Sequence, residues 1–544
     1  MVFCVPSSAR NLSQGQATLP ERLQAKGTVV LQCNEDLPVK NPESITAFIS
    51  RNKLETVLII SNLSKTSVTE ALRYSAEKAG LGRLAVSYLD IRLLEEGNGS
   101  QVGNDSGALV VLSNLARLEH ADLIKDAVLK TVIGPAKISR RELFRSVPKV
   151  LKTESDVPIT LQTQCNQRSA SCSYCKDACP VNAISLTPDS VVIDDRLCIE
   201  CGACARECPI GAIQGPSISD VQIMAVLSAV SSKDLGPSKR LLLLSCPLGL
   251  EKLAREVGEQ RTLDSSVVPV SIPCVGGVGS VHYLWAASQG VSLLTVCPDV
   301  SCRKAEAGVR LYRHVASAKN LLRTSADDGG DSVNHLTLNA KESMLNSISR
   351  IAVSTSFADK STKLAGVQRR ELSLDAVRKL GSRDGNGMIR LPPDHTLPFF
   401  DMEVDGDQCT YCELCQKNCP DHAIEFTKGQ GVERFVFDPA LCSGCMICDE
   451  NCAMEAIHVS RLVELSPILK GTKTEKASDL DVKCAKCGNI LGTKGSLAVL
   501  KQKLLDQGAS DAMLKALSLC NRCKSQAVYH PLQKRPVLLK DLAA

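Results

Sequence analysis

Two runs of cysteine near the C-terminal end of this chain have the spacing that lets thiolates wrap an iron–sulfur cube. Cys409, Cys412, Cys415 and Cys419 form one run, and Cys442, Cys445, Cys448 and Cys452 form the other. Two-residue gaps place three sulfurs on one face of a cluster while the intervening N–H groups point at them. The fourth cysteine, three residues on, projects to the neighbouring cluster. One centre is therefore expected from Cys409, Cys412, Cys415 and Cys452, and the other from Cys442, Cys445, Cys448 and Cys419. Proline follows the last cysteine of the first run; Ala453 takes its place in the second.

An earlier block departs from this pattern. The same crossing rule gives one full set, Cys198, Cys201, Cys204 and Cys179, and one set of three, Cys172, Cys175 and Cys208. Ser169 stands where the missing cysteine belongs, and Cys165 lies four residues too early. The span from Cys165 to Cys172 is long enough to loop back onto the same iron. Four readings stay open: Cys165 completes the set, the Ser169 oxygen does, the centre holds three irons, or Cys165 is inert. A C-[PA]-x-x-A-I repeat begins at Cys179, Cys208, Cys419 and Cys452, which implies two copies of one two-centre module.

Eight further cysteines have chemistry to explain. Cys246, Cys274 and Cys297 each follow an expected strand, and Cys302 follows Cys297 in "CPDVSC". Strand C-termini of an α/β sheet share one edge, so these thiols can converge there; buried free cysteines are the alternative. Cys484, Cys487, Cys520 and Cys523 are two C-x2-C pairs around a helical insert, with Gly488 suited to a knuckle turn. Structural Zn2+ is the expectation, and a fifth cluster or rubredoxin-type iron the alternative. Cys4 and Cys33 read as ordinary cysteines. His422 and His458 lie near cluster motifs, where an imidazole can tune a potential or sit on the surface. Arg140, Arg141 and Arg145 form a basic stripe for an acidic partner or for solvent.

The elements that must position these groups make a multidomain α/β and α+β chain of 544 residues. Residues 1–160 read as an α/β domain, with strands at 29–32, 56–60, 84–89 and 108–112, a helix at 67–79, a loop at 97–107 and a capping box at Ser139–Glu142. A two-cluster module follows at 161–218, then a second small α/β sheet domain at 219–324. Residues 325–400 read as a linker with some helix, 401–462 as the second module, and 463–544 as a C-terminal Cys4 knuckle domain. Only 3% of residues are aromatic, so the cores must be aliphatic. A net charge of +5 argues against nucleic-acid binding. No 18-residue apolar run and no secretory leader are read, and clustered thiols fit a reducing cytoplasm.

Both cysteine blocks resemble the bacterial two-[4Fe–4S] ferredoxin family, over about 50 residues each. The resemblance implies four [4Fe–4S] clusters and one-electron transfer. The middle domain resembles the delta-subunit family of methyl-viologen-reducing hydrogenases, which implies a [2Fe–2S] cluster on Cys246, Cys274, Cys297 and Cys302. It departs in having Pro247 and a single cysteine in the first turn. Residues 1–95, with "VVLQCN" and "LETVLIISNLSKTSVTEALRYSAEKAGLGRLAVSYLDIR", resemble the segment before the flavin domain of heterodisulfide reductase A subunits. No G-x-G-x-x-G or Walker motif follows a strand, since "GLGRLA" and "GGVGS" fail the pattern, so no FAD, NAD or ATP is expected. The resemblances imply an electron-relay subunit working with a flavin-containing heterodisulfide reductase-like subunit, a hydrogenase, a formate dehydrogenase or a ferredoxin. Substrate reduction at the incomplete cluster, and redox sensing, are the competing functions.

Overall fold

The computed structural model describes residues 156–162, 164–165, 172–187, 190–231, 239–258, 263–325, 330–339, 341–351, 369–380, 390–392 and 395–525, with shorter pieces before residue 120. The chain forms two units, residues 1–168 with 172–398, and residues 399–544 with 169–171. Most of the expected helix at 67–79, the basic stripe of Arg140, Arg141 and Arg145, Cys33 and Ser169 lie outside the described residues.

Within the first unit, Val57–Ser61 and Val86–Asp90 pair in parallel, as their β-branched runs predict. The run at 108–112 does not form the expected strand. It lies within helix α1 (Gly103–Glu119), which begins inside the stretch expected as a loop. Leu109, Val110, Val111 and Leu115 are all buried. Ser113, Asn114 and Arg117 are buried as well, so the helix has no solvent-facing polar stripe whose 3.6-residue period would separate the run from a strand. Asn114 of α1 donates from Nδ2 to Pro269 O (2.9 Å) and accepts the Ser271 N–H at Oδ1 (3.3 Å).

The first cysteine block folds as β1 (Ile159–Thr160), α2 (Tyr174–Asp177), the hairpin β2 (Ile184–Thr187) and β3 (Ser190–Ile193), α3 (Ala203–Glu207) and β4 (Ile213–Gln214). The outer strands β1 and β4 pair antiparallel, as do β2 and β3. Helix α4 (Asp220–Val230) follows, started by a capping box between Ser219 and Gln222.

Next come β5 (Leu241–Ser245), α5 (Pro247–Gly258), β6 (Val267–Ser271), α6 (Ser280–Ser288), β7 (Ser292–Cys297), α7 (Ala305–Val309), α8 (Leu311–Ser325) and β8 (Val333–Thr337). The four strands are parallel in the order β6-β5-β7-β8. Every residue of β5, β6 and β7 is buried. Unbroken Leu and Val runs are what a parallel sheet covered on both faces requires. The segment expected as a linker supplies its helix, including α9 (Arg369–Leu380), and in addition the fourth strand, β8.

The second unit repeats the same element order: β9 (Asp401–Val404), α10 (Leu414–Asn418), the hairpin β10 (Ile424–Gly429) and β11 (Val432–Phe437), α11 (Ile447–Glu450) and β12 (Ile457–Ser460). Strand β9 pairs antiparallel with β12 and β10 with β11. Gln430 and Gly431 both take positive φ, which suits a tight two-residue hairpin turn. Here the hairpin continues into a larger sheet, because β13 (Thr474–Lys483) pairs with β11 and β14 (Ile490–Thr493) with β13. The sheet thus runs across the expected boundary at 462/463. Helices α12 (Lys494–Asp506) and α13 (Asp511–Ala516) complete the unit. Among the described residues, no helix is long and apolar enough to cross a membrane.

Candidate functional site

The repeated C-[PA]-x-x-A motif builds one local structure four times. In each copy the alanine N–H donates to the cysteine sulfur: Ala183 to Cys179 and Ala212 to Cys208 at 3.2 Å, Ala423 to Cys419 at 3.3 Å, and Ala456 to Cys452 at 3.4 Å. The residue before each alanine is left-handed: Asn182 (φ 52°), Gly211 (70°), His422 (52°) and Glu455 (51°). That twist turns the N–H back onto the sulfur. His422 therefore serves the turn through its backbone, and its side chain is exposed. His458 is also exposed and lies 3.4 Å from Asp449.

Three of the four cysteine runs share a second signature. The residues flanking the middle cysteine are left-handed in each: Glu200 and Gly202 around Cys201, Tyr411 and Glu413 around Cys412, Gly444 and Met446 around Cys445. In the fourth run, Ser173 after Cys172 has φ −118°. The run that lacks its first cysteine therefore also lacks this wrap.

The structure brings Cys165, Cys172, Cys175 and Cys208 together. Burial pushes the Cys172 thiol up to about 12, and like-charge repulsion from Cys208, Cys175 and Cys165 adds to it. Cys175 is raised to about 12 by burial, then by Cys208 and Cys165. Cys165 packs against the buried group of Cys175, Cys204, Cys208, Ile184 and Ile213. The second set also meets: burial raises Cys204 well above the ordinary thiol, with Cys201, Cys198 and Cys179 among the repelling groups. Thiols this desolvated and this close keep their protons unless a cation replaces them, which is the donor chemistry of a cluster site.

The second unit shows the same crossing. Burial raises Cys409 to about 11 and Cys415 to about 12, with Cys412 and Cys452 acting on both. Cys448 is raised by burial and then by Cys442, Cys445 and Cys419. Cys409, Cys412, Cys415 and Cys452 open on a cavity of about 330 Å³ whose far wall includes Val499 and Leu500 of α12. That volume accommodates a cubane.

At the C-terminal edge of the parallel sheet, Cys246 follows β5 directly, Cys274 lies beyond β6, and Cys297 ends β7. Burial raises Cys274 to about 12, with Cys246 among the repelling groups; it also raises Cys297, with Cys246 and Cys302 adding. Gly276 N–H donates to the Cys274 sulfur (3.4 Å) and Lys304 N–H to that of Cys302 (3.5 Å). Cys302 is exposed and the other three are not. The sheet edge thus brings these four thiols into one neighbourhood.

In the C-terminal segment the sulfurs of Cys484, Cys487, Cys520 and Cys523 all lie within 4.8 Å of one another, with Cys487 and Cys520 at 3.6 Å. Four thiolates about 2.3 Å from a tetrahedral ion stand roughly 3.8 Å apart, so the set fits Zn2+. The Cys520 N–H, donating to Cys484 Sγ (3.3 Å), leads in lowering that thiol to about 6. Gly488 takes φ +73° as the knuckle turns.

Sequence reasoning missed the buried charges around the first block. Arg369 of α9 grips both carboxylate oxygens of Asp220 (2.8 and 2.7 Å) and donates from Nη1 to the carbonyls of Ala205 and Cys208, both at 2.6 Å. Burial alone would raise the Asp220 carboxyl; Arg369 and the His282 hydrogen bond instead hold it well below the usual range. His282 accepts the Gly279 N–H at Nδ1 (2.8 Å) and so presents Nε2–H to Asp220 (3.1 Å). No motif marks Arg369, because its helix lies in a stretch of linker-like composition.

Comparison with known proteins identifies residues 168–212 as a 4Fe–4S dicluster domain. The chain is 54% identical over 39 residues to an uncharacterized ferredoxin of Methanocaldococcus jannaschii, covering 7% of this chain and 26% of that protein. Hydrogenase-4 component A of Escherichia coli is 47% identical over 47 residues, 8% of this chain and 23% of that protein. A ferredoxin of Alicyclobacillus acidocaldarius is 41% identical over 56 residues, 10% of this chain and 69% of the ferredoxin. The match spans about a quarter of each of the first two relatives.

Proposed function

The chain belongs to the dicluster ferredoxin family, and from that premise we propose that it is an electron-relay subunit of a multi-subunit oxidoreductase. The observation that carries this reading is the fourfold N–H to sulfur turn, repeated in two blocks of identical element order. Four [4Fe–4S] clusters are assigned: to Cys165, Cys172, Cys175 and Cys208; to Cys198, Cys201, Cys204 and Cys179; to Cys409, Cys412, Cys415 and Cys452; and to Cys442, Cys445, Cys448 and Cys419. A [2Fe–2S] cluster is assigned to Cys246, Cys274, Cys297 and Cys302, and Zn2+ to Cys484, Cys487, Cys520 and Cys523.

Such groups supply one-electron steps when bound. The chain's own residues hold the thiolates, direct N–H groups at their sulfurs and exclude water from the first block. The placement of Cys165 beside Cys172, Cys175 and Cys208 favours a fully ligated centre over an open iron that reduces substrate. Two-electron chemistry falls to a partner. The relative named as a hydrogenase component supports a hydrogenase-type assembly; a flavin-containing heterodisulfide reductase-like subunit, a formate dehydrogenase or a free ferredoxin would serve the same chemistry. A reducing compartment such as the cytoplasm suits these thiolates.

Anaerobic purification with metal analysis tests the assignment. About 18 Fe and about one Zn per chain are expected. Iron near about eight would overturn a relay built on two modules.

A further inference from the structure

Between the first cysteine block and the sheet edge lies a seam where two backbones touch. A Cβ on Gly202 would stand 2.7 Å from Gly277 Cα, and one on Gly276 would stand 2.6 Å from Cys201 O and 2.7 Å from Ala307 Cβ. Neither position has room for a side chain, and Gly202 is also left-handed at φ +76°. Cys201 and Cys274, whose turns make this contact, are both buried, and the charge of Cys201 acts on Cys274.

Side chains on both flanks pull the seam shut. Arg206, fully buried, donates from Nη1 to Gly276 O (3.0 Å) and Ala307 O (2.7 Å), tying α3 to the turn after Cys274 and to α7. Lys304, two residues after Cys302, donates from Nζ to Glu200 O (3.2 Å) and lies 3.8 Å from the Glu200 carboxylate. A seam serving packing alone would gain more from interlocked apolar side chains, which bury more surface. Glycine on both sides instead minimises the distance between the two sulfur sets, and electron tunnelling falls steeply with distance.

We propose that this seam is the electron crossing between the Cys179, Cys198, Cys201 and Cys204 site and the four-thiol sheet edge, with Arg206 as the positioning residue that keeps it closed. The inference rests on the reading that both sites hold iron. One electron leaves the first site as the second gains one; no bond breaks and no proton moves. A one-electron donor of the ferredoxin type refills the first site, and a one-electron acceptor empties the second.

Stepwise dithionite reduction of the full-length, iron-loaded chain, followed by EPR, tests the crossing. In the unaltered protein the two-iron signal should appear sharp and then split as the neighbouring cubane is reduced. Cys198→Ala should abolish the splitting and keep the two-iron signal, whereas Cys172→Ala should leave the splitting in place. Arg206→Gln should shrink the splitting at unchanged iron content, which a residue serving stability alone would not do. A two-iron signal that never splits in the unaltered protein, or that loses its splitting in Cys172→Ala only, overturns the crossing alone. Absence of any two-iron signal, with about 16 Fe in place of about 18, overturns the two-iron assignment and the crossing with it.

Discussion

The two cysteine blocks share one element order and differ in what holds them. In the first, the hairpin β2–β3 remains two-stranded, Ala203, Cys204, Ala205 and Arg206 of α3 are buried, and charged groups are sealed around it. In the second, α10 has no buried residue, Cys412 is exposed, and the hairpin grows into a four-stranded sheet. The helix between the cysteines is thus enclosed in the first block and exposed in the second. The same turn chemistry thus tolerates two opposite surroundings, because its N–H donors come from its own backbone.

Metal removal should give the largest contrast. Helix α12 has no buried residue, and beyond the pairing of Ile490–Thr493 with β13 the segment 484–523 would lean on an ion held by its four thiols. A structural Zn2+ contributes on the order of 10 kcal/mol. A zinc chelator should therefore open this segment to proteolysis while the iron content of the first block stays constant. Asp220→Ala comes next. It strands the buried Arg369 and should cost the first unit about 3–5 kcal/mol, read as a lowered unfolding midpoint with the second unit's transition unchanged.

Acid should separate the units as well. Burial lowers His282 below 6.5, and lowers His314 and His335 to about 4, so all three are neutral when folded near pH 7. The unfolded chain then binds more protons between about pH 6.5 and 4, and stability falls as the pH drops through that window. Each histidine should cost up to about 1.4 kcal/mol per pH unit there, measured by denaturant titration. In the second unit the described histidines, His422 and His458, are exposed, and its midpoint should move less. Cys165→Ser should convert one cubane to a three-iron form with its own EPR signal, while the other cubane of the block persists. Smallest of all, Glu455→Gly gives the second unit the residue that Gly211 already supplies in the first. It should raise the stability of the second unit by up to about 1 kcal/mol in the same titration.

The legible part of this molecule was its covalent spacing. The strands before Cys246 and Cys297 and the helix Ser280–Ser288 are local patterns, and they stand where the sequence puts them. Two things escaped. Residues 109–111, 113–115 and 117 of α1 are buried, on more than one face of the helix, so periodicity carried no information there. Strand β8 and the role of Arg369 lie in a polar stretch read as a linker with some helix, yet they are set by partners far away in the chain: β8 pairs with β7, and Arg369 meets an aspartate 149 residues distant. A lone arginine has no spacing to betray it. The wrap missing at Ser173 was equally silent, since a left-handed φ on Glu, Tyr or Met leaves no mark in composition.

The grip of Asn114 on Pro269 and Ser271 has a consequence for how the chain survives in a crowded cell. Strand β6 is the outermost strand of a sheet rich in Leu and Val, and an open margin of that kind recruits strands from other molecules. Pro269 offers no N–H, and the Asn114 amide occupies the neighbouring acceptor and donor as a further strand would. A chain whose α1 has not yet docked would leave that margin open, and that state is the one most exposed to self-association. Asn114→Ala, which removes both contacts, should therefore lower the yield of dispersed protein.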